Sequence, residues 1–311
     1  MLNSRTLSRY GRHIFLLKRI KTLAILFFII LVVAASILIF LKVKNSVNNE
    51  RRELLQVFNN GEYERAYEIS KNYLFQRPVD YFLLTINGFS AFQLGISQIN
   101  SQNMLLFIDE CIFSLRKALI RQASSNDGRI FYVLGKAYGY KGNEYSDLAV
   151  KYLEMASQSY EAADIPEYLG LAYAASGDYR NSVAAFSQAF VPDRPPSDSL
   201  LLSIARSYMA MEEYDMATGY LKRCVDISPD SKSVTVARFL IAEIYVNTGD
   251  YSGAEEQYLI ILNESGASAE VHYQLGELYN LQGDTTRARS EWRTAYRQDP
   301  AHARARARLN I

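Results

Sequence analysis

The chain is expected to be all-α: a solenoid of stacked helical hairpins, preceded by one long apolar helix. Three observations predict this. A tyrosine returns at Tyr138, Tyr173, Tyr208, Tyr245 and Tyr279, at intervals of 35, 35, 37 and 34 residues. Small residues recur where two helices need to approach closely, as Gly276, Ala288 and Ala295 do among Leu275, Tyr279 and Trp292. An uncharged stretch, Leu23 to Leu41, stands near the N-terminus. A period in this range belongs to repeat architectures, in which each unit buries its apolar face only against its neighbours.

Composition agrees with a folded body too long for one small core. Of 311 residues 13% are aromatic, 23 of them Tyr, against 16 Gly and 7 Pro, which excludes a disordered chain. The formal charge is +1, yet the first 44 residues hold eight Lys/Arg and no Asp/Glu. The rest therefore carries −7, a balance that disfavours binding to nucleic-acid phosphates. Cys111 and Cys224 would lie three repeats apart, beyond the ~7 Å Cα separation a disulfide tolerates. Both read as small packing residues.

The first element is the apolar run. Leu23–Leu41 is bounded by Lys21 and Lys42 and spans ~28 Å as a helix, close to the thickness of a bilayer's hydrocarbon core. A cleaved signal has a shorter apolar region followed by a small-residue cleavage site. Here Ala34, Ala35 and Ser36 sit inside the run, which continues to Phe40. Residues 22–42 are thus read as a retained transmembrane helix and 1–21 as a basic segment. Six cations precede the span (Arg5, Arg9, Arg12, Lys18, Arg19, Lys21) and four follow soon after (Lys42, Lys44, Arg51, Arg52). That bias places the N-terminus in the cytoplasm and the body on the exported, periplasmic side of an inner membrane.

The hairpins follow over 47–302. Copies at 47–80 and 81–122 are weak: the first offers Gly61, Tyr63, Ala66 and Pro78 after an amphipathic run from Glu53 to Phe58. The second offers Gly88, Ala91 and Gly95. Its second helix, around Met104 to Ile120, arrives late, so that "ISQINSQN" is either a long turn or a helix extension. From 128 the pattern is strong. Copy 128–161 runs from Leu134–Tyr138 to Ala149, Leu153 and Ala156; copy 163–196 runs from Leu169–Tyr173 through Gly177-Asp178-Tyr179 to Phe186. In copy 198–231, Ile204–Tyr208 leads to Ala217, Leu221 and Cys224, with Glu212 where a turn Gly would stand. Copies 235–268 and 269–302 carry Gly249-Asp250 and Gly283-Asp284 turns, and Pro300 closes the last helix. Residues 303–311 are expected to cap the final apolar edge.

These residues resemble the tetratricopeptide repeat (TPR) pattern, a Leu-Gly and Tyr in the first helix, then Ala, an aromatic and Pro over ~34 residues. The last copy matches at Leu275, Gly276, Tyr279, Ala288, Trp292 and Pro300. His272 stands in place of the leading Trp. The resemblance, to membrane-anchored bacterial members in particular, implies a right-handed superhelical solenoid of about seven hairpins. It also implies that the first helix of each repeat lines a concave groove. Carried onto this sequence, that groove begins with Phe82, Phe89 and Phe92, then Tyr132, Lys136 and Tyr140. Tyr168, Leu171, Leu202, Arg206 and Met209 continue it. Phe239, Glu243 and Asn247 follow, and Tyr273, Glu277 and Asn280 end it. Aromatic anchors of this kind suit an amphipathic helix or an extended peptide. The Lys/Asn pair by which some TPR domains hold a partner's C-terminal carboxylates is missing, since Tyr132 pairs with Lys136, Leu202 with Arg206 and Tyr273 with Glu277.

A second candidate surface is basic: Arg289, Arg293 and Arg297 recur every fourth residue, with Arg304 and Arg308 beyond them, either a solvated outer face or a docking patch for an acidic partner or anionic surface. No nucleotide-binding, nucleophile or metal motif occurs, and the three histidines are scattered. The expectation is a protein without enzymatic activity, cofactor or metal: a membrane-anchored scaffold or adaptor for protein partners in the cell envelope, such as an accessory part of a secretion system or flagellar motor. Other readings are a periplasmic chaperone-like protein, a cytoplasm-facing regulator that recruits an enzyme or protease, and self-association through solenoid edges.

Overall fold

The computed structural model describes residues 4–121, 127–191, 194–266 and 268–311, with side chains from residue 31 onward except at 265. Among these residues are fifteen α-helices, one short 3-10 helix and no strand. Two compact units divide the chain: Met1–Asn100 with Phe113–Ala123, and Ser101–Ile112 with Ser124–Ile311.

The first unit opens with α1, Ser4–Asn59, an unbroken helix of 56 residues. Apolar span and first repeat helix are therefore one rod, with no linker between them. Its described part is long and apolar enough to cross a membrane. Side chains of residues 31–41 are exposed along it, Leu38, Ile39 and Phe40 by about two thirds. Farther along, the same helix turns amphipathic, and Leu54 and Val57 are buried with Ala66, Leu83 and Ile86. A turn with Gly61 at φ +79° leads to α2, Tyr63–Gln76. Asp80 then caps α3, Tyr81–Ile96, by accepting a hydrogen bond from the Leu83 amide at 3.2 Å. Buried Asn87 on α3 donates to Ser70 at 3.1 Å and accepts from Ser114 at 2.9 Å, so a polar group inside the core is satisfied at both ends. The insertion resolves into a short connection and a longer helix: α4, Ser101–Arg121, starts right after Asn100.

In the second unit helices alternate between long contacts within a hairpin and shorter ones to the next. The pairs are α5 (Gly128–Lys141) with α6 (Ser146–Ser157), and α7 (Ile165–Ala175) with α8 (Tyr179–Gln188). Next come α9 (Asp198–Ala210) with α10 (Tyr214–Ile227), and α11 (Ser231–Thr248) with α12 (Tyr251–Ser265). The last pair is α13 (Ala269–Leu281) with α14 (Thr285–Gln298), followed by α15, Ala303–Leu309. The small residues read from the sequence sit where these helices touch. A Cβ on Gly170 would stand 2.5 Å from the Phe186 ring, and one on Gly276 would stand 2.4 Å from the Trp292 indole. Only glycine lets the two backbones approach this far while an aromatic fills the space beside them.

Most turns between paired helices share one geometry, an exception being α5–α6, where Gly142 stands at φ +134° and a 3-10 turn, Asn143–Tyr145, fills the connection. The Asp284 amide donates to the Tyr279 carbonyl at 2.9 Å and the Gly283 amide to Asn280 at 3.1 Å, with Gly283 at φ +81°. Such closure satisfies the carbonyls left over at a helix end. Glu212 makes the equivalent bond to Met209 at 2.9 Å but holds φ +60° with a side chain in place. The turn geometry thus survives loss of its glycine. Both cysteines are buried and unpaired.

Candidate partner-binding face

The most developed site lies in the second unit, where α5 and α6 meet α7. Lys136, on α5, is held in a cage. Its ammonium lies 4.1 Å from the centre of the Tyr168 ring and 4.8 Å from that of Tyr132. It donates to Asp164 at 3.1 Å and to the Tyr132 hydroxyl at 2.9 Å, and Tyr132 donates to Asp164 at 2.7 Å. Two aromatic faces and a carboxylate therefore surround one cation.

Burial works against charge on both members of this pair, and the bonds between them overcome it. Desolvation pulls the Asp164 carboxyl upward, but hydrogen bonds from Tyr132 and Lys136 leave it below the usual carboxylate range. Lys136 is likewise disfavoured by burial, yet its bonds to Tyr132 and Asp164 carry it above the ordinary lysine value. Tyr132 is pushed up to about 12, chiefly by burial. The charges neutralise each other, with Lys136 the more buried partner and Asp164 partly exposed.

Beside this cage opens a cavity of about 520 Å³, walled by Tyr140, Tyr168, Leu171, Ala172 and Gly139, with Lys136, Asp164 and Glu167 at its polar side. The Tyr140 hydroxyl is pushed above the ordinary tyrosine value, first by burial and then by its neighbour Tyr168. Leu171 is 44% exposed, a large apolar side chain at the edge of a concavity. The expected groove residues Lys136, Tyr140, Tyr168 and Leu171 thus converge here, with Tyr132 behind them. Asp164 was missed by the sequence reading. Its only signal is a carboxylate one residue before α7, 28 positions after Lys136, a spacing that bridges first helices of successive repeats.

Elsewhere the expected groove is corrected. Phe92 is 3% exposed, Leu202 8% and Tyr273 7%; all three are core, not surface. The face of a first helix follows from periodicity, but how much of it the next repeat covers does not. Leu202 packs in the cluster built around Leu221 and Ile241. Tyr273 lies beneath α15, with the His302 ring at 5.1 Å and the Arg304 guanidinium at 4.7 Å. Phe82 and Phe89 are half-buried; the Arg51 guanidinium covers Phe82 at 5.4 Å, and Phe89 meets Phe58 at 6.4 Å. Met209 leans on the α9–α10 core, and Phe239 contacts Tyr258 at 6.0 Å. Arg206, Glu243, Asn247 and Asn280 are exposed, and Glu277 is occupied by Arg308.

The basic patch also divides. Arg289, Arg293 and Arg297 are exposed on α14 and make no ion pair among the described residues, although Arg297 donates to Thr294 at 3.0 Å. Arg304 and Arg308 belong to a different surface. Arg304 pairs with Glu270 at 2.6 Å and Arg308 with Glu277, so both tie α15 down onto α13. No cluster of three or more His, Cys, Asp or Glu placed to hold a metal occurs among the described residues.

No curated protein matches the chain. Among solved structures, the C-terminal part of a TPR repeat-containing protein from Cytophaga hutchinsonii is similar at TM-score 0.60 and 14% identity, covering 84% of this chain and 100% of that one. PilW, a widely conserved type IV pilus biogenesis factor, is similar at TM-score 0.55 and 16% identity, covering 71% and 98%. At such identity these likenesses speak to the fold alone. The family described as a tetratricopeptide repeat-like domain matches residues 128–311. With hairpins, small-residue contacts and turns as described, the chain belongs to the tetratricopeptide repeat-like family.

Proposed function

We propose that this protein is a scaffold held in the inner membrane by α1, with its repeats on the exported side, where they bind protein partners of the cell envelope. The observation that carries the binding role is the cavity beside Tyr140, Tyr168 and Leu171. It is aromatic and aliphatic, of a size for one or two side chains, and its cation is already neutralised by Asp164. A site of this kind takes an apolar anchor from a helix or extended peptide rather than a free carboxylate. Anchoring in turn confines the scaffold to two dimensions, which raises its effective concentration toward partners in the same membrane. Anchor and solenoid together support the narrower reading of an accessory component of a large envelope complex, a secretion system or a flagellar motor.

Crosslinking in native membranes, with mass spectrometry of the adducts, tests this. Leu171→Arg should remove the partner crosslinks that map to α5 and α7 while leaving helix content unchanged. Unaltered crosslinks would remove the cavity from the binding role. Capture of many unrelated unfolded proteins would instead support chaperoning. A periplasm-active reporter fused after Ile311 should be active; a silent one would turn the body toward the cytoplasm, as a regulator that recruits an enzyme or protease would require.

A further inference from the structure

Phe75 is 92% exposed and Val79 48% exposed, at the end of α2 and in the connection to α3. Neither supports the core of the first unit. An isolated apolar side chain on a surface needs no explanation by itself; the position of these two does. The α1–α2 pair is a helical hairpin with a three-residue connection, 60–62, so α2 runs back along α1. Tyr63 meets Phe58 edge-on at 5.4 Å, which sets the two helices level at that point. From Tyr63 to Phe75 the chain climbs ~18 Å at ~1.5 Å per residue. Phe75 therefore returns to about the height of Ser46 on α1.

Leu41 ends the apolar run only five residues above Ser46, a rise of ~8 Å. The headgroup layer on each side of a bilayer is ~5–8 Å deep. Phe75 thus stands at the depth where headgroups meet water, on the same side as the body. Two ion pairs hold the α2–α3 connection against α1 at this end: Arg77 with Glu50 at 2.7 Å and Arg51 with Asp80 at 2.9 Å. Because α1 is unbroken from Ser4 to Asn59, this height is set by a rigid rod and not by a linker. Lys42 and Lys44 are exposed on the intervening turn, suited to headgroup phosphates.

Resting on the reading of α1 as the anchor, we propose that the α2–α3 connection is a second membrane contact, in which Phe75 and Val79 enter the interfacial layer of the bilayer. The contact fixes the azimuth and tilt of the first hairpin against the membrane plane, which a single span leaves open.

Full-length protein carrying Leu38→Cys, Phe75→Cys or Ile99→Cys, each labelled with an environment-sensitive thiol dye, tests the proposal. Native Cys111 and Cys224 are buried and remain unlabelled. Ile99 is as exposed as Phe75 but lies past the far end of α3. The protein is reconstituted into phosphatidylcholine–phosphatidylglycerol vesicles containing lipids with a quencher either near the headgroup or deep in the acyl chain. The expected pattern is loss of emission at 38 with the deep quencher, loss at 75 with the shallow one, and none at 99. Quenching at 38 without quenching at 75 overturns the second contact and leaves the anchor standing. Equal quenching at 75 and 99 overturns it as well, since dye partitioning would then explain both. No quenching at 38 removes the anchor and the proposal together.

Discussion

Gly276 has no room for a methyl group: a Cβ would fall against the Trp292 ring and 3.1 Å from the Ala288 carbonyl oxygen. Trp292 is itself buried and walled by its neighbours, so the clash cannot relax by a rotamer change alone. Gly276→Ala is therefore expected to lower unfolding free energy by about 2 kcal/mol, the usual scale of core overpacking, read from urea denaturation. Gly219 offers the contrast. It lies inside α10 with nothing within 4 Å of where a Cβ would stand, so Gly219→Ala should raise stability by about 0.5–1 kcal/mol. A second residue-scale prediction concerns pH. Folding depresses the Asp164 carboxyl; its stabilising contribution is complete above the unfolded value near ~3.9 and disappears as pH falls through the lower, folded value. Lys136 is raised by the same contacts, so its contribution holds below ~10.4 and is lost as pH rises through its folded value. Asp164→Asn should cost about 1 kcal/mol at neutral pH, discounted for the carboxylate's partial exposure. It should also flatten the acid limb of the stability curve, as thermal melts across pH would show.

At the scale of elements, turns and ends decide most. Glu212 keeps a left-handed φ of +60° that four other hairpin turns, at Gly61, Gly177, Gly249 and Gly283, give to glycine. A left-handed L-residue costs ~1–2 kcal/mol and glycine's added chain entropy returns part of that. Glu212→Gly should thus raise unfolding free energy by about 0.5–1 kcal/mol, visible as a higher melting temperature. The sequence pattern located these turns well because each needs a special backbone conformation, and residue type announces it. Close-approach glycines were legible for a similar reason, since a missing side chain leaves a mark in the text. Burial on first helices was not. Tyr273 reads as a groove residue until α15 is placed over it, and Arg304 reads as a docking cation until Glu270 is found 34 positions earlier. Leu202 and Phe92 fail for the same reason: one repeat's periodicity carries no information about how closely the next repeat stacks. Within the cavity, Lys136, Tyr140, Tyr168 and Leu171 were legible as a face, while their counter-ion Asp164 was hidden in a connection.

Among the described residues of the second unit, the substantial contacts of each helix are with its immediate neighbours in sequence or the next first helix along. Stability in such an array is a sum of repeat and nearest-neighbour terms, and opening can begin at an end without involving the whole. The C-terminal end has a specific closure. Helix α15 buries Ala305 and covers Tyr273, held by Arg304 and His302 on Glu270 and by Arg308 on Glu277. Exposed ion pairs contribute little each, so the closure rests mainly on the apolar contact beneath them. A perturbation near that end should then stay local. In Gly276→Ala, amide hydrogen exchange should accelerate through α13, α14 and α15 while α5 to α8 keep the protection they have in the parent chain. Uniform acceleration across the unit would instead mean that its repeats open as one cooperative block. That result would also bear on partner binding, because the cavity between α5, α6 and α7 keeps its shape under C-terminal damage only if the repeats between them can open independently.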